Sequence, residues 1–317
     1  MIWFMKQARI MADLRGKYLG GMIGSALGDA IGELAFFHPT KETLCARLEQ
    51  LQTYRYTDDT AMSIGIAQSI LKTGCLDEQD LGKTFRENFK REPWRGYASG
   101  PPTIFSMVEE MGITHVEAAQ RLFGGSGSFG NGSAMRVVPV GLAYHDFPDL
   151  YEMARVSAVV THAHPLGLDG AAVQSKAVAL AVQHDPEDTF RSDAFVQGLL
   201  GLARTSEMRD KIREVGDLIS SRADPSVAAQ QLGRTVAVHE SLPFALYSFL
   251  RHPKSFEDCL FCAILNGGDR DTLGAMACAT SGAYLGIKAI PKSWIEKLEN
   301  RSYIEQLASQ LAEMTIC

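Results

Sequence analysis

The segment Gly274-Ala-Met-Ala-Cys-Ala-Thr-Ser-Gly-Ala-Tyr-Leu-Gly286 is dominated by small side chains, and so is Gly20-Gly-Met-Ile-Gly-Ser-Ala-Leu-Gly-Asp-Ala-Ile-Gly32 near the other terminus. Small side chains let helix backbones approach one another closely, so both segments are expected at the centre of a compact many-helix core. Their composition is similar to that of membrane helices. Asp29 and the nearby charges argue against a membrane location.

Helical periodicity extends outward from these two segments to most of the chain. Apolar residues recur at three- and four-residue spacing, whereas alternation with period two is rare. The segments with helical spacing are 60–71, 80–89, 116–122, 151–160, 166–182, 195–203, 242–250 and 272–285. Residues 204–231 are more polar and are expected to form surface helices. We therefore predict an all-α fold, and the absence of a visible linker predicts that residues 1–317 form a single domain.

Several helix ends are marked by residues that are typical of caps. Asp80 and Thr114 are suited to begin helices. Gly74, Gly112 and Gly286 are suited to end them. These boundaries agree with the periodic segments on either side.

Composition and charge argue against several classes of protein. Of the 317 residues, 46% are hydrophobic and 21% are charged, which is ordinary for a globular protein and argues against disorder. The net charge is -6 and the positive residues are scattered, so duplex nucleic acid is not an expected partner. Only five apolar residues precede Lys6, too few for a signal or membrane segment. A cytoplasmic protein without membrane attachment is predicted.

The six cysteines do not have the density of a secreted disulfide scaffold. Cys259-Leu-Phe-Cys262 has the spacing of half a zinc site, but no second pair and no clustered histidines accompany it. Reduced thiols in the core are therefore the better interpretation.

Two acidic clusters stand more than two hundred residues apart, each before a small-residue helix: Tyr56-Thr-Asp-Asp-Thr60 and Gly267-Gly-Asp-Arg-Asp-Thr272. Acidic residues in a first helical turn are often only caps, and Thr57 is suited to be an N-cap. If the two helix starts converge, however, four carboxylates and two threonine hydroxyls form an oxygen-only shell. Such a shell suits Mg²⁺ or Mn²⁺ and lacks the imidazole or thiolate expected for zinc. Spacing alone leaves the two interpretations open.

The second strong feature is the glycine-rich segment Gly124-Gly-Ser-Gly-Ser-Phe-Gly-Asn-Gly-Ser-Ala-Met-Arg136. Residues 125–130 match GxGxxG, but a helical segment precedes them and not a strand, so a dinucleotide-binding fold is not indicated. No GK[ST] follows, which excludes a Walker A motif. Successive N–H groups in such a loop bind phosphate, and a helix is expected to start near residues 131–135. The alternative is a flexible surface loop.

Aromatic and basic residues beside the glycine-rich segment favour a nucleotide ligand. Phe123 and Phe129 are unusual in a simple linker, and aromatic faces beside a phosphate loop suit a nucleobase. Arg136 is either a phosphate partner or a surface charge of the helix. The residues before Pro165 include His162 and His164, which are expected to cap a helix or to bond within the core, and His164 is interpreted as structural. No GxSxG motif indicates a serine hydrolase.

A set of motifs, in order along the chain, resembles the ADP-ribosylglycohydrolase family. The set comprises Gly28-Asp29, Tyr56-Thr-Asp-Asp-Thr60, Arg95-Gly-Tyr97, Gly127-Ser-Phe-Gly-Asn-Gly132, Ala134-Met-Arg136, Thr161-His162 and Gly267-Gly-Asp269 with Asp271-Thr272. The chain is most similar to the branch that removes ADP-ribose from serine and cleaves poly-ADP-ribose and O-acetyl-ADP-ribose. The resemblance runs from about Arg15 to about Trp294.

The resemblance implies a compact orthogonal many-helix bundle with two Mg²⁺ ions, or Mn²⁺, at the bottom of a cleft. The residues that match the family's metal ligands are Thr57, Asp58, Asp59, Asp269, Asp271 and Thr272. Those that match the diphosphate loop are Gly127, Ser128, Phe129, Gly130 and Asn131, while Gly96 and His162 match further ADP-ribose contacts. Phe123 and Phe129 match positions beside the adenosine. The implied mechanism places the cations on the ribose hydroxyls and water on the anomeric carbon, with an acidic side chain as acid or base.

The chain departs from the family pattern at two positions. The family has a glutamate seven residues after the aspartate of Gly28-Asp29, and that position here is Phe36. Glu33 is the expected acid or base, with Glu42 as the alternative. Arg270 stands where relatives have a small polar residue, and its charge either weakens metal binding or points away from the cations.

The resemblance leaves three functions open. The leading one is an Mg²⁺-dependent hydrolase of O-linked ADP-ribose, whose partner is an ADP-ribose-containing small molecule or an ADP-ribosylated protein. The second is an ADP-ribosyl-arginine hydrolase, which cleaves an N-glycosidic bond. The third is a non-catalytic ADP-ribose-binding or structural protein, which the shifted glutamate favours.

Overall fold

The computed structural model describes residues 2–314, and side-chain surroundings from Asp13 onward. These residues form seventeen α-helices and no strand, as predicted. In chain order they are α1 Ile2–Ala35, α2 Lys41–Gln50, α3 Asp58–Thr73, α4 Glu78–Arg91, α5 Gly100–Met111, α6 His115–Arg121, α7 Val138–Ala143, α8 Leu150–Val159, α9 Pro165–Gln183, α10 Ser192–Leu202, α11 Ser206–Ser220, α12 Pro225–Leu232, α13 Val238–Arg251, α14 Phe256–Leu265, α15 Arg270–Leu285, α16 Lys292–Lys297 and α17 Arg301–Glu313. Short 3₁₀ turns occupy Leu122–Gly125, Asn131–Ser133 and Ile287–Ala289.

The two small-residue helices, α1 and α15, pack directly against each other in the centre of the molecule. Glycine recurs at every fourth position of α1 from Gly20 to Gly32, so these positions share one helix face. A side-chain carbon at Gly24 would stand only 2.6 Å from the carbonyl oxygen of Cys278, so the glycines permit backbone contact. The pairs run antiparallel: Gly20 with Gly282, Gly24 with Cys278, Gly28 with Gly274 and Gly32 with Arg270.

The remaining helices surround this pair and complete one continuous apolar core. Helices α9, α13 and α14 pack against α15, and α17 packs against α1. The polar segment 204–231 contains α11 and α12, whose outer positions are exposed, as predicted. Cys259 and Cys262 are buried on α14, which confirms that they are core thiols. No helix within residues 2–314 is both long and apolar enough to cross a membrane.

Most of the predicted helix ends are confirmed. Gly74, Gly112 and Gly286 are the C-caps of α3, α5 and α15. Thr114 caps α6 in a reciprocal capping box with Glu117. The helix start predicted at Asp80 is wrong, because the N-cap is three residues earlier. The side chain of that earlier residue, Asp77, accepts the backbone N–H of Asp80 at 2.7 Å.

The helix start predicted at residues 131–135 is also wrong. Only a single 3₁₀ turn forms, at Asn131–Ser133, and α7 begins at Val138. The backbone N–H of Asn131 donates to the carbonyl of Val236 at 2.8 Å, and the Ser133 hydroxyl donates to the carbonyl of Gly167 at 2.7 Å. These tertiary bonds hold the backbone of Asn131 and the side chain of Ser133 at the turn.

The single domain predicted for residues 1–317 includes Met1 and residues 315–317, which lie outside the described residues. That assignment stays a prediction.

Candidate active site

A cleft of about 560 Å³ opens where the first turns of three helices meet the glycine-rich loop. The volume is within the range of small-molecule sites. It is lined by the starts of α3, α5 and α15, by the glycine-rich loop and by the segment before α13. The lining residues include Asp58, Asp59, Gly96, Phe123, Ser128, Phe129, Gly130, Asn131, Arg136, His162, Asp269, Asp271 and Thr272. The two acidic clusters and the loop therefore share one cavity.

Asp29, on α1, holds the start of α3 in place through direct hydrogen bonds. Its carboxylate accepts the backbone N–H groups of Thr57 and Thr60 at 3.0 Å and their hydroxyls at 2.8 Å and 2.6 Å. Thr57 is the N-cap residue, as predicted, but its own side chain makes no capping bond. Burial raises the pKa of Asp29, and these hydrogen bonds oppose the shift. The first acidic cluster is therefore held in place by the central helix pair.

The carboxylates of the two clusters lie close enough to shift one another's pKa. Burial, the largest cause, raises the pKa of Asp58, Asp59 and Asp271. Repulsion by Asp29 raises the pKa of all three further, and Asp269 adds to it. Gathering acidic groups in one buried place is costly unless a cation or protons neutralise them.

One oxygen of this acidic cluster lacks a partner. Asp59 Oδ1 is buried and has no hydrogen bond among the described residues. The donors around it are carboxylates and hydroxyls, the set that Mg²⁺ and Mn²⁺ prefer. No three His, Cys, Asp or Glu side chains between residues 13 and 314 already form a tight ligand group. The chemistry of the donors thus fits a hard cation, although the groups are not drawn together into a finished shell.

The glutamate predicted as acid or base, Glu33, lies on α1 four residues after Asp29, which places both on one helix face. It is partly buried and close enough to Asp271 to raise the pKa of that carboxyl by repulsion. Phe36, at the family's glutamate position, follows the end of α1 and is 44% exposed. The alternative, Glu42, is exposed in the first turn of α2. Of the two candidate glutamates, Glu33 is therefore the one that interacts with the acidic cluster.

Arg270 points away from the carboxylates that flank it in sequence. Its guanidinium donates to the carbonyl of Ile264 at the end of α14. Burial lowers the pKa of Arg270, and repulsion by Arg234 lowers it further. Of the two orientations considered from the sequence, the outward one is observed.

The glycine-rich loop lines the cleft next to the acidic cluster. The loop's turn uses positive φ angles at Gly124, Gly125 and Gly127, which only glycine adopts without strain. Gly127 does not line the cleft, and a side-chain carbon there would be 2.7 Å from the backbone nitrogen of His164. Of the five loop residues predicted to bind, Ser128 to Asn131 face the cleft and Gly127 supports them.

Asn131 joins the loop to the acidic cluster. Its side-chain amide donates to Asp269 Oδ2 at 2.7 Å and to Ser241 Oγ at 3.2 Å. The residue is buried, and its backbone is tied to Val236. The glycine-rich loop and the second acidic cluster are therefore held at a fixed distance from each other.

Two aromatic side chains stand at the rim. Phe123 is 66% exposed and has a positive φ of 51°, an unusual conformation for a bulky residue. Phe129 is 45% exposed and contacts the rings of His164 and His239 at centroid distances of 5.2 Å and 5.9 Å. His164 also caps α9 through Nδ1, consistent with the structural interpretation. The exposed aromatic faces provide a surface on which a planar base can stack.

His162 and Arg136 form a buried network beneath the loop. Arg136 donates to Thr161 Oγ1 at 2.6 Å, and Thr161 Oγ1 lies 2.8 Å from His162 Nδ1. Burial lowers the pKa of His162 to about 3, so the ring is neutral. Since the other acceptor for the threonine hydroxyl, the carbonyl of Ala158, is at 3.4 Å, we assign the hydroxyl proton to Nδ1. His162 then presents Nε2–H towards Gly130 and Gly132.

Arg136 is not a surface charge of a helix; it lines the cleft, and its role as a phosphate partner stays a prediction. It is fully buried, and its guanidinium packs over the ring of Phe85 at 4.7 Å. Burial lowers its pKa to about 9, which leaves it charged at neutral pH, and Asp58 opposes the shift. A buried cation close to Asp58 offsets part of the acidic cluster's charge.

Sequence reasoning did not identify the roles of Asp29 and Asn131. Asp29 is the only charged residue between Lys17 and Glu33, in an apolar helix, and a charge in such a place must have partners. This isolated charge could therefore have indicated the role of Asp29. The bond from Asn131 to Asp269 joins residues 138 positions apart and has no counterpart in local sequence.

The fold and the cleft together define a helical protein in which two acidic helix starts and a glycine-rich loop share one site. Residues 11–316 match the ADP-ribosylglycohydrolase family. The chain is 33% identical to the ADP-ribosylhydrolase ARH3 of mouse over 93% of this chain and 90% of that protein, and 33% identical to the human one over 93% and 92%. It is 27% identical to the ADP-ribosyl-[dinitrogen reductase] glycohydrolase of Rhodospirillum rubrum over 90% and 92%. A solved structure titled ADP-ribosylglycohydrolase-related protein complex shares the fold, with a TM-score of 0.71, 23% identity, and coverage of 96% and 99%.

The chain belongs to the ADP-ribosylglycohydrolase family. It is an enzyme that hydrolyses a glycosidic bond of ADP-ribose. These matches confirm the resemblance drawn from the sequence motifs.

Proposed function

We propose that the protein is an Mg²⁺-dependent hydrolase of O-linked ADP-ribose. Its substrate is ADP-ribose linked to serine, the ADP-ribose polymer or O-acetyl-ADP-ribose. The observation that carries the proposal is the shared cleft, in which Asn131 of the loop is bonded to Asp269 of the acidic cluster. An ADP-ribose with its diphosphate on the loop then has its distal ribose at the carboxylates. Similarity to the ADP-ribosylhydrolase ARH3 proteins supports this choice of branch.

Two Mg²⁺ ions, or Mn²⁺, are proposed at the acidic end. The residues that would hold them are Thr57, Asp58, Asp59, Asp269, Asp271 and Thr272. Support comes from the oxygen-only donors and from the unpartnered Oδ1 of Asp59. When bound, the cations supply positive charge that orients the ribose hydroxyls and favours deprotonation of the attacking water.

The side chains of the chain itself are proposed to bind and orient the substrate. The backbone N–H groups of Gly127, Gly130 and Asn131 already donate within the protein, so those of Ser128 and Phe129 are the loop donors proposed for the diphosphate. His162 contributes Nε2–H as a neutral donor. The faces of Phe123 and Phe129 hold the adenine. Asp29 and Asn131 act indirectly, since Asp29 fixes the first turn of α3 through Thr57 and Thr60, and Asn131 fixes Asp269. Gly96 lines the cleft close to Asp58, and its φ of 87° favours glycine at this position.

Glu33 is proposed as the acid or base. It shares a face of α1 with Asp29 and raises the pKa of Asp271 by repulsion, so of the two candidate glutamates it is the one beside the acidic cluster, although it is not among the residues that line the cleft. The substrate is an ADP-ribose-containing small molecule or an ADP-ribosylated protein. The proposal places the protein in the cytoplasm, a compartment that keeps core thiols such as Cys259 and Cys262 reduced.

The test compares acceptors and variants in one assay. The protein is incubated with Mg²⁺ and peptides that carry ADP-ribose on serine or on arginine, and released ADP-ribose is measured by mass spectrometry. We expect release from serine only, and loss of release in Asp271→Asn but not in Asp217→Asn, an exposed carboxylate on α11. Release from arginine alone would support the N-glycosidic alternative. Release from neither peptide, with ADP-ribose still bound, would contradict the proposed activity.

A further inference from the structure

The ring of His162 lies directly against the backbone of the glycine-rich loop. A side-chain carbon at Gly132 would stand 3.0 Å from Cε1 of the ring, and one at Gly167 would stand 3.2 Å from Cβ of the histidine. At Gly130 such a carbon would be 3.5 Å from His162 Nε2 and 3.3 Å from Ser128 Oγ. The absence of side chains at these glycines therefore lets the ring reach the part of the loop that lines the cleft.

Nε2 is the nitrogen of His162 that is open to a ligand. His162 lines the cleft and is 6% exposed, and between residues 13 and 314 its Nε2 has no hydrogen-bond partner. Unlike Arg136 Nε, Nε2 is not fully enclosed by protein. Beside it, Ser128 Oγ accepts the N–H of Gly130 at 3.1 Å, which leaves the serine proton free to donate. The cleft therefore offers two side-chain donors at one point of the loop, provided that Nε2 carries the ring proton.

A buried arginine determines which ring nitrogen carries that proton. Nη2 of Arg136 donates to Thr161 Oγ1 at 2.6 Å and to the carbonyl of Ser157 at 3.0 Å. A guanidinium has no acceptor, so Thr161 Oγ1 must accept from it and direct its own proton elsewhere. Of the two remaining partners of that hydroxyl, His162 Nδ1 is at 2.8 Å and the carbonyl of Ala158 is at 3.4 Å. Nδ1 therefore accepts, and since burial lowers the pKa of His162, the neutral ring has its one proton on Nε2.

We propose that Arg136 and Thr161 are positioning residues, which hold His162 as an Nε2–H donor for the diphosphate of ADP-ribose. The proposal rests on the proposed function, in which the loop binds the diphosphate. The two hydrogen bonds, from Arg136 to Thr161 and from Thr161 to His162, form a relay whose direction is fixed because its first member can only donate. All three side chains are buried, so water does not compete for these bonds. The competing explanation is that Arg136 contacts a phosphate itself.

Thr161→Val separates the two explanations, because it removes the hydroxyl and leaves Arg136 in place. We expect calorimetry to give a Kd for ADP-ribose about tenfold above that of the parent, while Thr161→Ser stays within about twofold. In a His162→Ala background, Thr161→Val should have no further effect, as expected for a residue that acts through His162. The matched control is Thr280→Val on α15, a buried threonine outside the cleft lining whose hydroxyl donates to the carbonyl of Met276. It should leave the Kd unchanged.

Nitrogen-15 NMR of the histidine rings tests the direction of the relay, since the two neutral tautomers differ in the shifts of their ring nitrogens. The signals of His162 are assigned by their loss in His162→Ala. We expect the Nε2–H tautomer in the parent and in Thr161→Ser. Arg136→Met should favour Nδ1–H, because the threonine oxygen can then accept from Nδ1. If Arg136→Met does not fold, Thr161→Val supplies the second readout, a mixture of the two tautomers.

Several results would overturn the relay. An unchanged Kd in Thr161→Val would leave direct phosphate contact as the explanation for Arg136. An equal loss of affinity with and without the His162 ring would assign Thr161 to folding alone, and an Nδ1–H ring in the parent would contradict the direction of the bonds. A parent that does not bind ADP-ribose would remove both the relay and the proposed function. Binding as predicted, without any release of ADP-ribose from substrates, would refute the proposed function and sustain the relay.

Discussion

The side-chain amide of Asn131 donates to Asp269 Oδ2 at 2.7 Å, and this bond joins the glycine-rich loop to the acidic cluster. Both partners line the cleft. A hydrogen bond to a carboxylate is stronger than one between two neutral groups. If the substrate binds as proposed, this bond sets the distance between the diphosphate on the loop and the ribose at the carboxylates.

Asn131→Asp tests this link. The new side chain has nearly the same shape, but it cannot donate, and it adds a negative charge beside Asp269. We expect kcat/KM to fall about a hundredfold, equivalent to ~2.7 kcal/mol of transition-state stabilisation, and the urea midpoint to fall as well, because the new carboxylate is buried beside Asp269. Asn88→Asp on α4, whose amide bonds Gln68, is the control. Activity close to that of the parent in Asn131→Asp would show that the link is not needed.

Substitution of a central glycine tests the packing of α1 on α15. A side-chain carbon at Gly28 would overlap the backbone of Gly274, so Gly28→Ala should lower the free energy of unfolding by ~3 kcal/mol or more. Gly16→Ala is the matched control in the same helix, because nothing lies within 4 Å of its added carbon. That variant should be neutral or more stable by up to ~1 kcal/mol. Chemical denaturation measures both, and equal effects would contradict the close contact.

The acidic cluster predicts how stability depends on pH. Burial and mutual repulsion raise the pKa of Asp58, Asp59 and Asp271, so the folded protein binds more protons than the unfolded chain above pH ~4. Stability without divalent cations should therefore fall as the pH rises from 5 to 8. Mg²⁺ should raise the melting temperature, and more so at pH 8 than at pH 5. A melting temperature that rises with pH in chelator would contradict this sign.

A pair of glutamate variants tests the acid–base assignment. Glu33→Gln should lower kcat about a hundredfold, the usual range for a general acid or base, and flatten one limb of the pH–rate profile. Glu42→Gln, an exposed residue on α2, should leave kcat unchanged. If the two variants have equal activity, Glu33 is not the acid or base, and Phe36 then marks a real loss of the family's glutamate.

The sequence predicted the helices well because their evidence is local. Periodicity located α3, α4, α9 and α15 to within a few residues, and the glycines of α1 indicated the central contact. Boundaries failed where a neighbouring side chain or a tertiary bond decided the outcome. Asp77 is the N-cap of α4, and the turn at residues 131–133 is held by hydrogen bonds to Val236 and Gly167.

The candidate site was also predicted only where its evidence is local in the sequence. The residue types and motifs indicated an acidic end and a phosphate loop, and the structure brings both into one cleft. The capping of α3 by Asp29 and the outward direction of Arg270 depend on helix packing, which the spacing of residues along the chain does not determine.

The most direct test of the proposed function is a titration of chelator-treated protein with Mg²⁺ while it acts on a serine-ADP-ribosylated peptide. We predict no release of ADP-ribose in chelator and full recovery as Mg²⁺ is added, with recovery absent in Asp271→Asn. Release that continues unchanged in chelator, or no release at any Mg²⁺ concentration while ADP-ribose binds, would contradict the account.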